Sequence, residues 1–313
     1  MRPAPAEGVD PAWLQLRRPA DVRAHTTFGS GLVDDLADHL TDHLTDHLTG
    51  QLTGHLAANE ADNRAEQRTG GTDRPDAVRL VDVGAGTGSG AHWLRDQLAD
   101  RLPGGLGDRQ HWRLVDHDPD LLASAPPAAD GWAHGVVATV HELPALLAAE
   151  PADVVACQAL VDVLTAVEVD AMLAPAVGSD AAVLLALSVT GEVVLSPLHQ
   201  DDEMVAEAFD AHQRRARRLG PDGGAYAAHA LQQQGYTVTV AATPWRLGAP
   251  DTDLLRAWLQ GRADAAGEQE PGLRERVRHW HERRDRQARD GELSVVVGHV
   301  DVLGLPPRRA TSS

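Results

Sequence analysis

The sequence has one cysteine, few aromatic side chains, and neither lysine nor isoleucine. Cys157 is the only cysteine, so no disulfide framework exists and a reducing cytoplasm is the expected location. It lies in the apolar run VVACQ and is predicted to be a small core residue. Ala, Arg, Gly, Asp and Leu dominate instead. This usage is typical of a GC-rich genome and carries no information about function.

Positive charge is also scarce. The formal net charge is −18, from 28 basic and 46 acidic residues. Nucleic acids and anionic membranes bind surfaces of dense positive charge, so we expect neither as a partner. No window is long and apolar enough to span a bilayer, and the N-terminal MRPAPAEGVDPAW lacks the apolar stretch of a signal peptide. Apolar residues make up 42%, which is ordinary for a globular protein with a sizeable core.

The most regular segment is DHLTDHLTDHLTGQLTGHL, residues 38–56. It places histidines at multiples of four, at His39, His43, His47 and His55. Histidines four apart share a helix face and could bind zinc. However, each repeat drifts about 40° around a helix, Gln51 interrupts the series, and no acid or cysteine completes a site. The repeat is therefore predicted to lengthen a helix by local duplication, and no metal is expected.

The distribution of apolar, polar and glycine residues along the sequence divides the chain into three parts. Residues 1–76 are predicted to contain an irregular arm (1–30), a helix from about Leu32 to Ala57, and a polar linker (59–76). Residues 77–305 alternate short β-type runs with helical segments. Residues 306–313 are predicted to be a disordered tail.

The central part predicts an α/β fold. Five β-type runs, each followed by a helical segment, are expected at 78–84, 111–118, 131–140, 152–160 and 181–190. Helices at 201–219, 221–235, 252–265 and 272–290 accompany two further strands, at 236–245 and 293–303. Strands that alternate with helices indicate βαβ units, right-handed crossovers and a mostly parallel sheet with helices on both faces. The helices between 252 and 290 are rich in both charges and are predicted to present a solvated face.

A glycine loop, LVDVGAGTGSG, joins the first strand to its helix. Gly84, Gly86 and Gly88 allow a tight turn, and the helix beyond presents free backbone N–H groups to a ligand. The dinucleotide fingerprint G-x-G-x-x-G would need a glycine where Ser89 stands. The spacing G-x-G-x-G after VDV instead resembles motif I of the class I S-adenosylmethionine-dependent methyltransferases.

The resemblance extends over residues 78–190. LVDHDPDLL resembles the second-strand motif of that family, which implies that Asp116 accepts both ribose hydroxyls of the cofactor, as a carboxylate can. His117 would flank the adenine, and Glu142 of VHELP is the nearest candidate for the adenine amino group. ADVVACQAL resembles the fourth-strand motif, whose end, at Gln158, lies beside the methionine part. The loop LPGGLGDRQ makes the distance from Gly88 to Asp116 longer than usual.

The resemblance implies a Rossmann-like class I methyltransferase fold with a mostly parallel, seven-stranded sheet and a helical N-terminal extension that closes over the cofactor. The cofactor would be S-adenosyl-L-methionine, and the acceptor a small molecule. The implied cofactor-binding residues are Asp82, Gly84, Ala85, Gly86, Thr87, Gly88, Asp116, His117, Glu142 and Gln158.

The catalytic residues are less well defined by the sequence. Asp162 follows the fourth strand and is a candidate general base or substrate-holding group; it could equally cap the next helix or pair with an arginine. Other polar or aromatic candidates for the substrate region are Ser188, Thr190, His212, Trp245 and Arg246, and the segment 201–219 is a candidate lid. Two other functions remain possible: a nicotinamide-dependent oxidoreductase on a similar fold, and a non-catalytic cofactor-binding or scaffold protein.

Overall fold

The computed structural model describes residues 10–43, 77–125 and 131–307. Within them, the strands are β1 (Val78–Val83), β2 (Gln110–Asp116), β3 (Ala133–Val137), β4 (Val154–Gln158), β5 (Ala182–Ser196), β6 (Thr237–Ala242), β7 (Trp245–Leu247) and β8 (Ser294–Leu305). The helices are α1 (Pro11–Ala24), α2 (residues 30–43), α3 (Ser89–Ala99), α4 (Pro119–Ala123), α5 (Leu143–Ala149), α6 (Ala166–Gly178), α7 (Asp202–Gln213), α8 (Gly223–Gln233), α9 (Thr252–Gln269) and α10 (Arg274–Arg289).

The strands form one sheet in the order β3-β2-β1-β4-β5-β8-β6, with β7 also paired to β8. The strands β1 to β5 pair in parallel, and β8 is antiparallel to both β5 and β6. The predicted mostly parallel, Rossmann-like sheet is confirmed. It has eight strands among the described residues rather than seven, because the predicted sixth strand is interrupted at Pro244, which has no backbone N–H for the ladder, and resumes as β7.

The apolar strands are buried because helices cover both faces of the sheet. One core cluster packs α5, α6 and α8 against the sheet, through residues such as Leu147, Met172 and Leu231. On the other face, α2 and α3 pack through residues such as Leu36 and Leu98. Each fully buried leucine contributes roughly 1.5–3 kcal/mol. The described part of the repeat-bearing helix therefore belongs to the core of the sheet, while His47 and His55 lie outside the described residues.

Residues 11–29, predicted to be irregular, are helical, which corrects the sequence interpretation. Asp10 accepts a hydrogen bond from the Ala12 N–H at 2.8 Å, and Pro11 follows it, a combination that starts α1. A π-helix, His25–Gly29, then leads into α2. The helical periodicity of apolar residues is weak in this segment because the inner face of α1 carries Asp21. This carboxylate is buried and accepts hydrogen bonds from Arg17 and from the Trp245 indole N–H.

The helices α9 and α10 have the predicted exposed, charged face, with residues such as Arg278 and Arg283, and each also has a buried face. They pack with α7 against the extended ends of β5 and β8, and bury Trp258 and Trp280 in a third core cluster. They also bury two arginines, Arg262 and Arg284. β5 reaches these helices because it is 15 residues long and extends beyond residue 190, its predicted end. Its pairing with β8 contains register shifts.

The N-terminal helices are joined to the sheet through the buried carboxylate of Asp301 on β8. Its Oδ1 accepts hydrogen bonds from the Leu187 N–H at 2.7 Å and from the Thr243 hydroxyl at 2.8 Å. Its Oδ2 lies 2.9 Å from Nδ1 of His25. The His25 ring stacks on Trp93, with 4.1 Å between ring centroids. Among the described residues, no helix has the length and apolar character needed to cross a membrane.

Candidate functional site

The glycine loop lies between the end of β1 and the start of α3. Gly84, Gly86 and Gly88 have φ values of 66°, 54° and 75°, a left-handed conformation that glycine adopts at little cost. A Cβ at Gly84 would also lie 2.9 Å from the Leu160 side chain. Gly88 is the N-cap of α3 and offers no side-chain cap to it. The N-cap therefore supplies no side-chain partner to the first N–H groups of this helix, of which that of Ala91 donates to the Asp82 carboxylate, and helix starts of this kind can bind ligands through the remaining N–H groups.

Asp116, at the end of β2, lies against this loop. Its Oδ2 accepts a hydrogen bond from the Gly86 N–H at 2.8 Å, and its Oδ1 accepts one from the Asp118 N–H at 2.9 Å. Nδ1 of His117 lies 3.2 Å from the same Oδ1. A carboxylate has about four acceptor positions, so Asp116 retains acceptor capacity for a ligand while it holds the loop in place.

A cavity of about 410 Å³ opens at the carboxyl ends of β1, β2, β4 and β5. We call it the main cavity because the glycine loop lines it. Of the predicted residues, it is lined by Asp82, Gly84, Ala85, Gly86, Thr87, Asp116, His117, Gln158, Asp162 and Trp245. Parallel strands end at one edge of a sheet, and ligands in such folds bind there. The structure thus brings together residues that are up to 163 positions apart, from Asp82 to Trp245.

Several predicted residues do not line the main cavity. Gly88 acts through the backbone, as the N-cap of α3. The exposed Glu142 instead accepts hydrogen bonds from the Thr139 N–H and hydroxyl, at 2.9 and 3.0 Å, so its contact with adenine stays a prediction. His212 lies 3.4 Å from the Glu268 carboxylate. The remaining residues outside the lining are Ser188, Thr190 and Arg246.

Asp82 is a buried acid at the floor of the main cavity, beneath the glycine loop. Its pKa is raised from 3.8 to about 7, chiefly by burial and further by the Asp116 carboxylate, while a hydrogen bond from the Ala91 N–H works in the opposite direction. Cys157 of the neighbouring β4 is buried in the core as predicted, and burial raises the pKa of its thiol. A thiol held protonated in this way is a poor nucleophile.

Asp162 lines the cavity from the turn after β4, and one of the alternatives that the sequence left open does not hold. It does not cap α6, because Thr165 does so in a capping box with Glu168. Its Oδ1 is buried without a hydrogen-bond partner among the described residues. Burial raises its pKa from 3.8 to about 6, although the charges of Arg17 and Arg218 oppose this. An acid with such a pKa is suited to general base catalysis near neutral pH.

The roof of the main cavity comes from α1, which sequence reasoning did not identify as helical. Its contributing residues are Trp13, Leu14, Arg17 and Asp21. The Trp13 and Trp245 ring centroids are 6.4 Å apart, and the Arg17 guanidinium lies 5.0 Å from the Trp245 ring centroid. The Asp10-Pro11 helix start was the available signal for α1.

The wall opposite the glycine loop is aromatic and carries two unexpected polar groups. Phe209, Trp258, Arg262 and His299 all line it. The Nδ1 of His299 lies 3.0 Å from the Val297 carbonyl oxygen, to which it must donate. Burial, above all, lowers the pKa of His299 to about 3. The ring is therefore neutral, and its Nε2 can only accept a hydrogen bond.

A second cavity, of about 540 Å³, adjoins the wall but is remote from the glycine loop. It lies between the extended part of β5 and the helices α7 and α10, with Leu195, His199, Val205 and Trp280 in its lining. Arg262 lines both cavities. In the described residues, no group of three or more His, Cys, Asp or Glu side chains is placed to hold a metal ion.

Comparison with known proteins gave similarity only at the level of structure. No protein-family model and no curated protein matches the sequence. The YcgJ protein from Bacillus subtilis is 12% identical, with a TM-score of 0.43, over 74% of this chain and 93% of that one. The cyclopropane synthase MmaA2 from Mycobacterium tuberculosis is 13% identical, with a TM-score of 0.37, over 73% of this chain and 78% of that one.

A third structure is a SAM-dependent methyltransferase from Thiobacillus denitrificans in complex with S-adenosyl-L-homocysteine. It is 18% identical, with a TM-score of 0.36, over 73% of this chain and 85% of that one. At such identities and TM-scores, the likeness supports no functional conclusion by itself, and the function has to be inferred from the residues of the cavity.

Proposed function

We propose that the chain is an S-adenosyl-L-methionine-dependent methyltransferase that acts on a small-molecule acceptor. The observation that carries this proposal is the contact between the glycine loop and Asp116 at the edge of the main cavity, beside the N-terminus of α3. These are the residues through which the sequence resembles the family. The cavity is roofed by α1, which favours a small acceptor over a polymer.

The residues around the cavity fit the cofactor part by part. Asp116 has acceptor positions left for the two ribose hydroxyls, with His117 beside it for the adenine. Asp82 and Gln158 line the floor where the methionine part would lie. A Cβ at Gly90 would lie 2.6 Å from the Gln158 amide oxygen, so glycine here allows Gln158 to reach the helix start. When bound, the cofactor supplies an electrophilic methyl group on a sulfonium.

The sheet argues against the nicotinamide-dependent alternative. The dinucleotide-binding fold has the strand order 3-2-1-4-5-6, whereas here the antiparallel β8 separates β5 from β6. The third glycine of the dinucleotide fingerprint, which allows close helix–strand packing, is replaced by Ser89, the first residue of α3. Both differences favour a methyl-donor cofactor.

The chain's own groups would orient the acceptor, exclude water and take its proton. The neighbouring rings of Trp13 and Trp245 both line the cavity, and His299 offers a neutral acceptor nitrogen in the wall. The Asp162 carboxylate, which lines the cavity and keeps one oxygen without a fixed partner, would receive the proton of an acceptor hydroxyl or amine. Orientation and a positioned base are the contributions that a protein makes to such a displacement.

The test of this function is calorimetric titration of the purified protein with S-adenosylhomocysteine, with NADH in a parallel cell. We expect micromolar binding of S-adenosylhomocysteine and no binding of NADH. Binding of NADH alone would support the oxidoreductase. Binding of S-adenosylhomocysteine without methyl transfer to any member of an acceptor panel would favour the non-catalytic, cofactor-binding alternative.

If Asp162 takes the proton of the acceptor, the rate of methyl transfer should depend on pH. Since its pKa is raised to about 6, the methyl-transfer rate should rise about tenfold per pH unit below that value and level off above it, where the carboxylate is ionised. Asp162→Asn should lower the single-turnover rate roughly 10²- to 10⁴-fold and abolish the rise. Transfer of a labelled methyl group from S-adenosylmethionine, with an acceptor found by screening, measures both.

The control for this variant is its affinity for S-adenosylhomocysteine, which should stay within about twofold of the parent because Asp162 is assigned to the acceptor. An unchanged rate in Asp162→Asn would show that the reaction needs no base at this position.

A further inference from the structure

Arg262 is a buried cation that the protein leaves without a fixed partner. It lies on α9, is 5% exposed, and its Nη2 has no hydrogen-bond partner among the described residues. The carboxylate whose charge acts on it is that of Asp210 on α7. Burial lowers the pKa of Arg262 to about 10, so the guanidinium is still charged at neutral pH. An unpaired buried charge is costly, and its presence calls for an explanation.

Another arginine in the same helical layer provides the comparison. Arg284 on α10 is 0% exposed, but its guanidinium donates to the Asp202 carboxylate, the Pro197 carbonyl oxygen and the Gln287 side chain. Arg284 is thus fully paired within the protein, whereas Arg113 on β2, which is also buried, pairs through Nη1 with the Leu146 carbonyl oxygen and keeps an unpartnered Nη2. Arg262 differs from both because its side chain lines the main cavity, and also the second cavity beside it, so a ligand could pair with the guanidinium N–H groups other than the enclosed Nη2.

The surroundings of Arg262 define what that ligand would be. Its Cζ lies 4.1 Å from the Phe209 ring centroid and 4.9 Å from the Trp258 ring centroid. Aromatic rings at these distances stabilise the guanidinium and restrict its orientation, while its N–H donors remain suited to bidentate pairing with a carboxylate. The nearby Asp210 carboxylate would repel a dianionic phosphate more strongly than a monoanion, so a ligand with a single negative charge is favoured. The wall also includes the apolar surfaces of Trp245 and Val297.

We propose that Arg262 binds the carboxylate of the methyl acceptor, and that the acceptor is a small carboxylic acid with an apolar or aromatic body. The proposal rests on the methyl-transfer function inferred above and names the substrate class of the same cavity. The carboxylate would form charge-assisted hydrogen bonds with the Arg262 guanidinium. The body of the acceptor would lie against the aromatic wall, between Arg262 and Asp162.

The test uses three carboxylates and their neutral amides: phenylacetate, 3-phenylpropionate and hexanoate. Each is titrated by calorimetry into the full-length protein, with and without saturating S-adenosylhomocysteine. We expect at least one carboxylate to bind at least tenfold more tightly than its amide, and inorganic phosphate not to compete. Absence of binding by all three carboxylates at millimolar concentration would overturn the proposal, as would equal binding of the amides or competition by phosphate.

Arg262→Met removes the charge and keeps an apolar side chain of similar length. It should lose carboxylate binding at least tenfold and bind S-adenosylhomocysteine within about twofold of the parent. The matched control is Arg283→Gln, an exposed arginine of α10, which should change neither affinity. A large loss of S-adenosylhomocysteine affinity in Arg262→Met would assign Arg262 to the cofactor carboxylate and overturn the acceptor assignment.

The melting temperature of Arg262→Met separates this role from a structural one. Replacing an unpaired buried charge by an apolar side chain should leave the melting temperature unchanged or raise it, whereas a sharp fall would show that Arg262 mainly holds the fold. Failure of the proposed function is distinguishable, because it would appear as absence of S-adenosylhomocysteine binding to the unmodified protein. Carboxylate binding to the ligand-free protein is measured independently of that result.

Discussion

Replacing Asp116 by alanine should weaken the binding of S-adenosylhomocysteine by about 1–3 kcal/mol, roughly 5- to 150-fold in Kd. Two effects act in the same direction. The ribose hydroxyls would lose a charged hydrogen-bond acceptor, and the Gly86 N–H would lose the carboxylate that now holds the glycine loop at 2.8 Å. Calorimetric titration of the variant and the parent measures the change.

Asp118→Ala is the matched control for this prediction. Asp118 also accepts backbone hydrogen bonds, from the Asp120 and Leu121 N–H groups, as the N-cap of α4, but it does not line the main cavity. Its removal should cost roughly 1 kcal/mol of stability and leave the Kd for S-adenosylhomocysteine unchanged. Equal affinity in Asp116→Ala and the parent protein would mean that the ribose site has been assigned to the wrong residue.

Replacing Asp82 by asparagine should stabilise the ligand-free protein at pH 8, and the gain should shrink as the pH falls. The pKa of Asp82 is about 7 in the fold, against 3.8 as its ordinary value. Between these values the unfolded chain is ionised while the folded protein retains the proton, so the contribution of Asp82 to stability is full below pH 3.8 and is lost as the pH rises through 7. A difference of three pKa units corresponds to about 4 kcal/mol.

The measurement is urea unfolding of Asp82→Asn and the parent at pH 5 and pH 8. The stability gained by the variant at pH 8 should exceed that at pH 5 by roughly 2–3 kcal/mol. Comparing two pH values cancels any pH-independent effect of the substitution on hydrogen bonding. Asp108→Asn, at an exposed position, should show no such difference. The same gain for Asp82→Asn at both pH values would mean that Asp82 titrates normally in the fold.

The local sequence was sufficient to predict the first half of the sheet and part of the site. β1, β2 and β4 are short apolar runs that end in glycine or polar residues, and each is followed by a helix. Since parallel strands end at one edge, the glycine loop, Asp116 and Gln158 could be expected to meet, and they all line the main cavity. Glu142 could not be placed in this way, because its neighbour Thr139 provides both of its hydrogen bonds.

The C-terminal half was harder to predict because charge there does not indicate exposure. Arg262 and Arg284 lie in helices whose charged residues suggested a solvated surface, yet both are buried. What buries them is the packing of α7, α9 and α10 against the extended ends of β5 and β8. A periodicity argument considers one helix at a time, so it cannot detect a layer formed by elements distant in the chain.

The sequence by itself determined the α/β character of the protein, the positions of the first five strands along the chain, and the position of the glycine loop at a helix start. These depend on side-chain periodicity and on glycine's access to left-handed φ, which are local properties. Only the tertiary structure decided that α1 roofs the cavity, that the Oδ1 of Asp162 is buried while Thr165 caps the next helix, and that Arg262 lines the same cavity as the glycine loop. Those features depend on desolvation and on contacts between residues far apart in the chain.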